Sequence, residues 1–278
     1  MQEKTKQIVV ITAIVVVMGL LLSQPIKGLV NEDKVATAAD GASSQLTMEN
    51  VSLQAKQGLN ASIIQEITSI ESRLPDASDD EKIDLLKQLA VKWDDVNKPE
   101  PQGFVYEELA TLDPQQFDYW LKAGDAYREA YTNLQDTAIV RELTNRAIHV
   151  YEKALELDAD NLDAKTGLGS AYVSGTDNPM AGISLLREVV AADPDHIGAN
   201  KSLGLFSMQS RQFDRAIDRF KTVVSLQPDA ESYFYLATSY ENIGMKQEAI
   251  GAFEKSRDLA ADPTLTQFIN RKIEELSK

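Results

Sequence analysis

The sequence contains no cysteine, only 2 histidines, and 28 basic side chains against 43 acidic ones. Without cysteine there can be no disulfide, no thiolate nucleophile and no cysteine-ligated metal or iron–sulfur site. The formal net charge of −15 argues against nucleic-acid binding, because such a surface must neutralise phosphates with lysine and arginine. The same acidic balance argues against charge-driven binding to anionic lipid, and its simplest consequence is solubility.

Side chains that could carry catalysis are also scarce. Neither His149 nor His196 has a second histidine at metal-ligand spacing. The acidic segments 158–160 and 193–195 resemble calcium loops only faintly, since they lack the glycine turn and the bidentate glutamate. No glycine-rich phosphate loop is present. We therefore expect a protein that is not an enzyme, that needs no cofactor or metal, and that carries both histidines on its surface.

One long uncharged run is present, "IVVITAIVVVMGLLL" at residues 8–22. As a helix this run would span about 22 Å, somewhat short of a hydrocarbon core of about 30 Å. We predict that residues 1–26 form a short tail and an uncleaved transmembrane signal-anchor, followed by a flexible linker over residues 27–46. A cleaved signal peptide and a buried core helix are the alternatives, although the nearest Ala-x-Ala sequence lies as far on as residues 36–38.

The orientation of this anchor rests on weaker signals. Two lysines precede the run and two follow it closely, so the lysine count alone is nearly balanced. A short tail before a first hydrophobic segment usually stays in the bacterial cytoplasm. We therefore expect a single-pass protein of the cytoplasmic (inner) membrane, with the bulk of the chain periplasmic or otherwise extracytoplasmic.

An amphipathic helix and a connecting loop are predicted over residues 47–82. Apolar residues recur at steps of three or four from Met48 to Leu74, as on one face of a helix, and Pro75 should end it. This helix could cap the domain that follows, or it could form a dimerising coiled coil and so a homo-oligomer through residues 48–74. The mean step is about 3.7 residues, longer than the 3.5 of a heptad seam, which favours the cap.

A fourteen-residue phrase recurs four times in the second half of the chain. The copies are "AIHVYEKALELDAD" from Ala147, "GISLLREVVAADPD" from Gly182, "AIDRFKTVVSLQPD" from Ala216 and "AIGAFEKSRDLAAD" from Ala249, at steps of 35, 34 and 33 residues. A period near 34 with two helices in each unit is typical of tetratricopeptide repeats. The chain resembles that family over residues 83–263.

The resemblance implies an all-α solenoid of about five helix hairpins, closed by a capping helix over residues 264–278. Small residues at positions 8 and 20 of each unit, such as Gly182 and Gly204, should lie where the two helices cross. The second unit has 20 residues between Tyr127 and Ala147, eleven more than the pattern, which should lengthen both of its helices. Ser207 stands where the fourth unit should have an aromatic, and prolines near residue 100 predict an irregular turn in the first unit.

The resemblance also implies a concave groove that binds a protein or peptide. Positions 2, 5, 9 and 12 of each first helix should line it. Some tetratricopeptide co-chaperones hold a C-terminal carboxylate with lysine, asparagine and arginine at set groove positions, and this sequence lacks that set. Candidate partner-binding residues are Leu121, Arg128, Lys201, Leu205, Met208 and Phe234. We expect a membrane-anchored scaffold in an envelope or secretion assembly. The alternatives are a periplasmic chaperone-like holder of unfolded clients, a cytoplasm-facing receptor, or a groove of ordinary solvated residues.

Overall fold

The computed structural model describes residues 46–132 and 134–278. The predicted anchor at residues 8–22 and all of the predicted linker except Leu46 lie outside these ranges. The described residues belong to one compact unit, from Leu46 to Lys278. None of the helices in this part of the chain is both long enough and apolar enough to cross a membrane.

The described residues form thirteen α-helices and one short 3-10 turn, at Leu74–Asp76, with no strand among them. The helices are α1 (Met48–Ala55), α2 (Ala61–Glu71), α3 (Asp79–Asp95), α4 (Pro99–Leu112), α5 (Phe117–Thr132), α6 (Thr137–Leu157), α7 (Leu162–Gly175), α8 (Pro179–Ala192), α9 (Ile197–Gln209), α10 (Phe213–Leu226), α11 (Ala230–Asn242), α12 (Lys246–Leu259) and α13 (Pro263–Leu276).

Ten of these helices pair into five consecutive hairpins: α3 with α4, α5 with α6, α7 with α8, α9 with α10, and α11 with α12. The second helix of each hairpin also packs against the first helix of the next one, and α12 packs against α13. Such nearest-neighbour stacking is the organisation of a solenoid, in which no single hairpin can bury its apolar face alone. The predicted all-α solenoid is therefore confirmed for the described part of the chain.

Polar side chains at helix starts explain where many of these helices begin. The carboxylates of Asp136, Asp229 and Asp262 and the amide oxygen of Asn161 each accept a hydrogen bond from a backbone N–H in the first turn. A side-chain cap of this kind satisfies an N–H that has no partner within the helix.

Glycines mark the places where the two helices of a hairpin cross. A Cβ atom added to Gly182 of α8 would lie 2.2 Å from the backbone carbonyl oxygen of Gly169 in α7. One added to Gly204 would lie 2.9 Å from the ring of Phe220, and one added to Gly124 would lie 2.5 Å from the ring of Tyr151. The small residues predicted at positions 8 and 20 are therefore required by close contact.

The prediction of one continuous helix from Met48 to Leu74 is wrong, because the segment forms two helices. Gly58 takes a left-handed backbone conformation with φ 88°, which glycine adopts readily and other residues rarely do. Asn60 then starts α2, with its side-chain oxygen accepting from the N–H of Ile63 at 3.0 Å. A steady three-to-four spacing of apolar residues did not reveal this break.

The apolar faces of α1 and α2 are buried within the chain. Val51 and Ala55 are buried on α1, which packs against α4, and Ile67 and Ile70 are buried on α2, which packs against α3. The residues expected to form a coiled-coil seam are thus covered by the first hairpin. This removes the basis for a homo-oligomer through residues 48–74 and agrees with the capping interpretation.

The predicted lengthening of the second unit is observed, but the predicted irregular turn of the first unit is not caused by its prolines. In the second unit both helices are longer, as predicted, with 16 residues in α5 and 21 in α6 against 13 or 14 in every helix from α7 to α12. In the first unit Pro99 and Pro101 do not disturb the turn, because they occupy the first turn of α4, where a missing N–H costs nothing. The unusual backbone conformation falls instead on Asn97, with φ 53°.

Candidate functional site

A groove of about 770 Å³ lies across the first helices of four consecutive hairpins, α5, α7, α9 and α11. We call it the central groove. Five of the six predicted partner-binding residues line it, namely Leu121, Arg128, Lys201, Leu205 and Met208. Their arrangement follows from the repeat, since equivalent faces of stacked helices form one continuous surface.

Phe234, the sixth predicted residue, is not among the groove-lining side chains. Its ring packs against Phe253 of α12 at 5.7 Å and Phe268 of α13 at 5.9 Å between ring centroids. The physical reason is that α13 follows the last hairpin and its Phe268 provides a neighbour for this face of α11. The adjacent residue, Tyr235, lines the groove in its place.

Tyr235 belongs to a set of groove residues that the predicted positions missed. Gly167, Ser202 and Tyr235 all occupy position 6 of their units, and each lines the groove. Positions 2, 5, 6 and 9 follow the i, i+3, i+4, i+7 spacing of a broad helical face. Adding position 6 to the pattern would have found all three residues.

Ion pairs connect the charged side chains of the groove. The Lys201 Nζ atom lies 2.7 Å from a carboxylate oxygen of Glu231, and the Arg128 guanidinium lies 3.6 Å from that of Asp125. Lys201 therefore already has a charged partner within the chain. Its side chain and that of Glu231 are 31% and 57% exposed, and partly exposed pairs add little to stability. An incoming carboxylate could thus compete for Lys201.

His196 lies at the groove and has a structural role. Its Nδ1 atom accepts a hydrogen bond from the backbone N–H of Ala199 at 3.2 Å, so that it caps α9, and its Nε2 atom lies 3.2 Å from Asp163. The side chain is only 13% exposed, so the predicted surface histidine lines the groove but is largely buried there. His149 is exposed, as predicted. Capping by a histidine was not considered from the sequence.

Three hydroxyl groups are buried close to the residues that line the groove. The Tyr151 hydroxyl donates to Asp125 at 2.8 Å, and burial raises the pKa of Tyr151 well above its ordinary value. Burial likewise raises the pKa of Tyr131 to about 12. The Tyr131 hydroxyl and the Thr166 Oγ1 atom are buried without a hydrogen-bond partner among the described residues, although buried polar groups rarely lack one.

The groove offers no evident metal chemistry. Within residues 46–132 and 134–278 no three histidine, cysteine, aspartate or glutamate side chains are grouped closely enough to hold a metal ion. Its side chains instead provide apolar contacts, ion pairs and hydroxyl groups, which are the means of recognising another chain.

Residues 136–197 and 207–264 match the family model of the tetratricopeptide repeat. These two segments are tetratricopeptide repeats. They include α6 to α8 and α10 to α12, and the same hairpin packing extends to the tetratricopeptide-like helices before and between them.

One solved structure supports the tetratricopeptide fold, that of TTC0263, a thermophilic tetratricopeptide protein from Thermus thermophilus. It covers 72% of this chain and 98% of that one with a TM-score of 0.52 and 15% identity. At this identity the likeness shows the fold alone.

Two curated proteins are similar in sequence. Superkiller protein 3 of Schizosaccharomyces pombe is 23% identical over 164 residues, which is 56% of this chain and 12% of that protein. The peroxisomal targeting signal receptor of Komagataella phaffii is 24% identical over 189 residues, which is 53% of this chain and 31% of that protein. The chain thus spans less than a third of either relative.

Proposed function

We propose that this chain is a non-enzymatic scaffold whose central groove holds a segment of a protein partner. The observation that carries the proposal is that one groove crossing four hairpins is lined by Leu121, Arg128, Lys201, Leu205 and Met208. The presence of tetratricopeptide repeats supports it, as does the name of one relative, a peroxisomal targeting signal receptor.

The chemistry of the groove indicates the kind of segment it would hold. Leu205 is 37% exposed and, with Met208, offers an apolar surface for one anchoring side chain of the partner. Lys201 can exchange its exposed pairing with Glu231 for a partner carboxylate.

We further propose that residues 8–22 anchor the scaffold in the cytoplasmic membrane, with the repeats on the extracytoplasmic side, in an envelope or secretion assembly. A reporter that is active only in the periplasm, fused after Lys278, should then be active in the membrane fraction. Activity of a cytoplasm-only reporter would contradict the orientation. A mature N-terminus beyond residue 26 would contradict the anchor.

The groove proposal is tested by a double charge change. Lys201→Glu with Leu205→Glu should abolish capture of the partner after crosslinking and pull-down from membranes, while helical content by circular dichroism stays unchanged. The matched control is Lys255→Glu with Leu259→Glu, which makes the same two changes at the same spacing on exposed positions of α12. Equal capture by the two double variants would refute the groove as the binding site.

A chaperone-like holder would give a different result in the same series. The wild-type chain would then suppress aggregation of many unrelated unfolded proteins, and no single partner would dominate the pull-down. Capture of one dominant partner that is lost only in the groove variant would support the scaffold.

A further inference from the structure

A second cleft, of about 700 Å³, lies between the third and fourth hairpins, among α8, α9 and α10. Ser207 of α9 lines it at the unit position where other hairpins have the large buried side chains of Trp93, Tyr127 and Tyr240. The small serine side chain does not fill the space that a ring would occupy at this position. We call it the serine cleft.

The serine cleft has an apolar floor. Ile183 of α8 and Leu203 of α9 are buried there, and Phe206 is half-buried beside them. At the rim, Met180 is 61% exposed. Removing such apolar surface from water is the main source of favourable free energy when a ligand enters a cleft.

Three arginines surround this floor, namely Arg187, Arg215 and Arg219. Arg215 donates a hydrogen bond to the neutral side chain of Gln212 at 2.6 Å, and Arg219 donates one to that of Asn200 at 3.0 Å. In the part of the chain that the structure describes, Arg187 has no hydrogen-bond or ion-pair partner, and none of the three arginines forms an ion pair.

The charge of the serine cleft is opposite to that of the whole chain. The cleft is lined by the three arginines and one acid, Asp218, so its formal charge is +2, whereas the net charge of the chain is −15. Guanidinium groups bind carboxylates through paired hydrogen bonds and attract the faces of aromatic rings. The cleft therefore complements a ligand that is both acidic and aromatic.

We propose that the serine cleft binds a segment of a partner protein in which an aromatic side chain lies next to carboxylates. The ring enters the space beside Ser207 that a ring of the chain fills in other units, and the carboxylates pair with Arg187 and its neighbours. The serine cleft shares only Phe206 with the residues of the central groove. This site is thus independent of the proposed groove function.

The test uses the purified full-length chain and a synthetic peptide in which one phenylalanine stands between pairs of glutamates. Isothermal titration calorimetry should show one peptide bound per chain. Ser207→Phe should weaken binding at least tenfold and raise the melting temperature, because the new ring occupies the cleft. Arg187→Glu should weaken binding at least tenfold with an unchanged melting temperature, since this arginine has no partner to lose within the described residues.

The matched control is Arg141→Glu, which makes the same charge change at an exposed position of α6, and it should bind the peptide as the wild type does. Equal affinity of Arg187→Glu and Arg141→Glu would overturn the proposal even if Ser207→Phe failed to fold. So would equal binding of a peptide with lysines in place of the glutamates, or no binding by the wild type. Self-association that is abolished only by Ser207→Phe would assign the cleft to a second copy and overturn the partner assignment.

Discussion

Two glycines that differ only in their surroundings test the packing of the hairpins. A Cβ atom at Gly182 would lie 2.2 Å from the carbonyl oxygen of Gly169, whereas one at Gly251 would meet nothing within 4 Å. The obstacle at Gly182 is backbone, so no side-chain rotation can relieve it and the two helices must separate. Both residues lie within second helices, α8 and α12, so alanine gains up to about 1 kcal/mol of helix propensity at either position.

The gain in helix propensity is the same in Gly182→Ala and Gly251→Ala. The difference in stability between the two variants therefore reports the overpacking at Gly182 alone. Overpacking costs about 1–3 kcal/mol, and 1 kcal/mol shifts the melting temperature of a domain of this size by about 2–4 °C. Gly182→Ala should therefore melt about 2–12 °C below Gly251→Ala, which itself should melt at or above the wild type in differential scanning calorimetry. Equal melting temperatures would show that α7 and α8 do not cross at this glycine.

Two further predictions concern buried polar groups. Burial raises the pKa of the Glu108 carboxyl above its ordinary value, so the ionised carboxylate destabilises the folded state at pH 7. This destabilisation decreases as the pH falls through the folded-state pKa, and it vanishes below the unfolded-state pKa of about 4. Glu108→Gln should accordingly raise the melting temperature at pH 7 and have no such effect below pH about 4; a constant gain at both would contradict this assignment. Tyr151→Phe removes the hydrogen bond to Asp125 and should lower the free energy of unfolding in urea by about 1 kcal/mol, and no change would mean that the bond adds nothing to stability.

The repeat architecture could be predicted because its constraints are local and recur. Each hairpin must bring two helices together, so the crossing glycines Gly124, Gly182 and Gly204 appear at fixed positions. The groove followed for the same reason, since equivalent positions of stacked helices point the same way. Five of six groove candidates could thus be placed before any neighbour was known.

The errors arose where an outcome depends on a particular neighbour. Phe234 turned out to pack with Phe268 because α13 follows the last hairpin, and periodicity does not tell which side chains a terminal helix will meet. The capping role of His196 and the ion pair between Lys201 and Glu231 likewise depend on neighbours that the repeat pattern does not specify. The break at residues 56–60 depends on a glycine in the left-handed region and on a cap by Asn60, both of which a spacing pattern overlooks.

Position-specific photo-crosslinking in intact membranes shows whether the central groove holds the partner. A photoreactive amino acid would replace Met208 in the groove in one variant and Leu259, which is 47% exposed on α12, in another. We expect a crosslinked partner band from Met208 and none from Leu259, and we expect the band from Met208 to be lost when Lys201→Glu is added. A band of equal strength from both positions, or from Leu259 alone, would contradict this expectation.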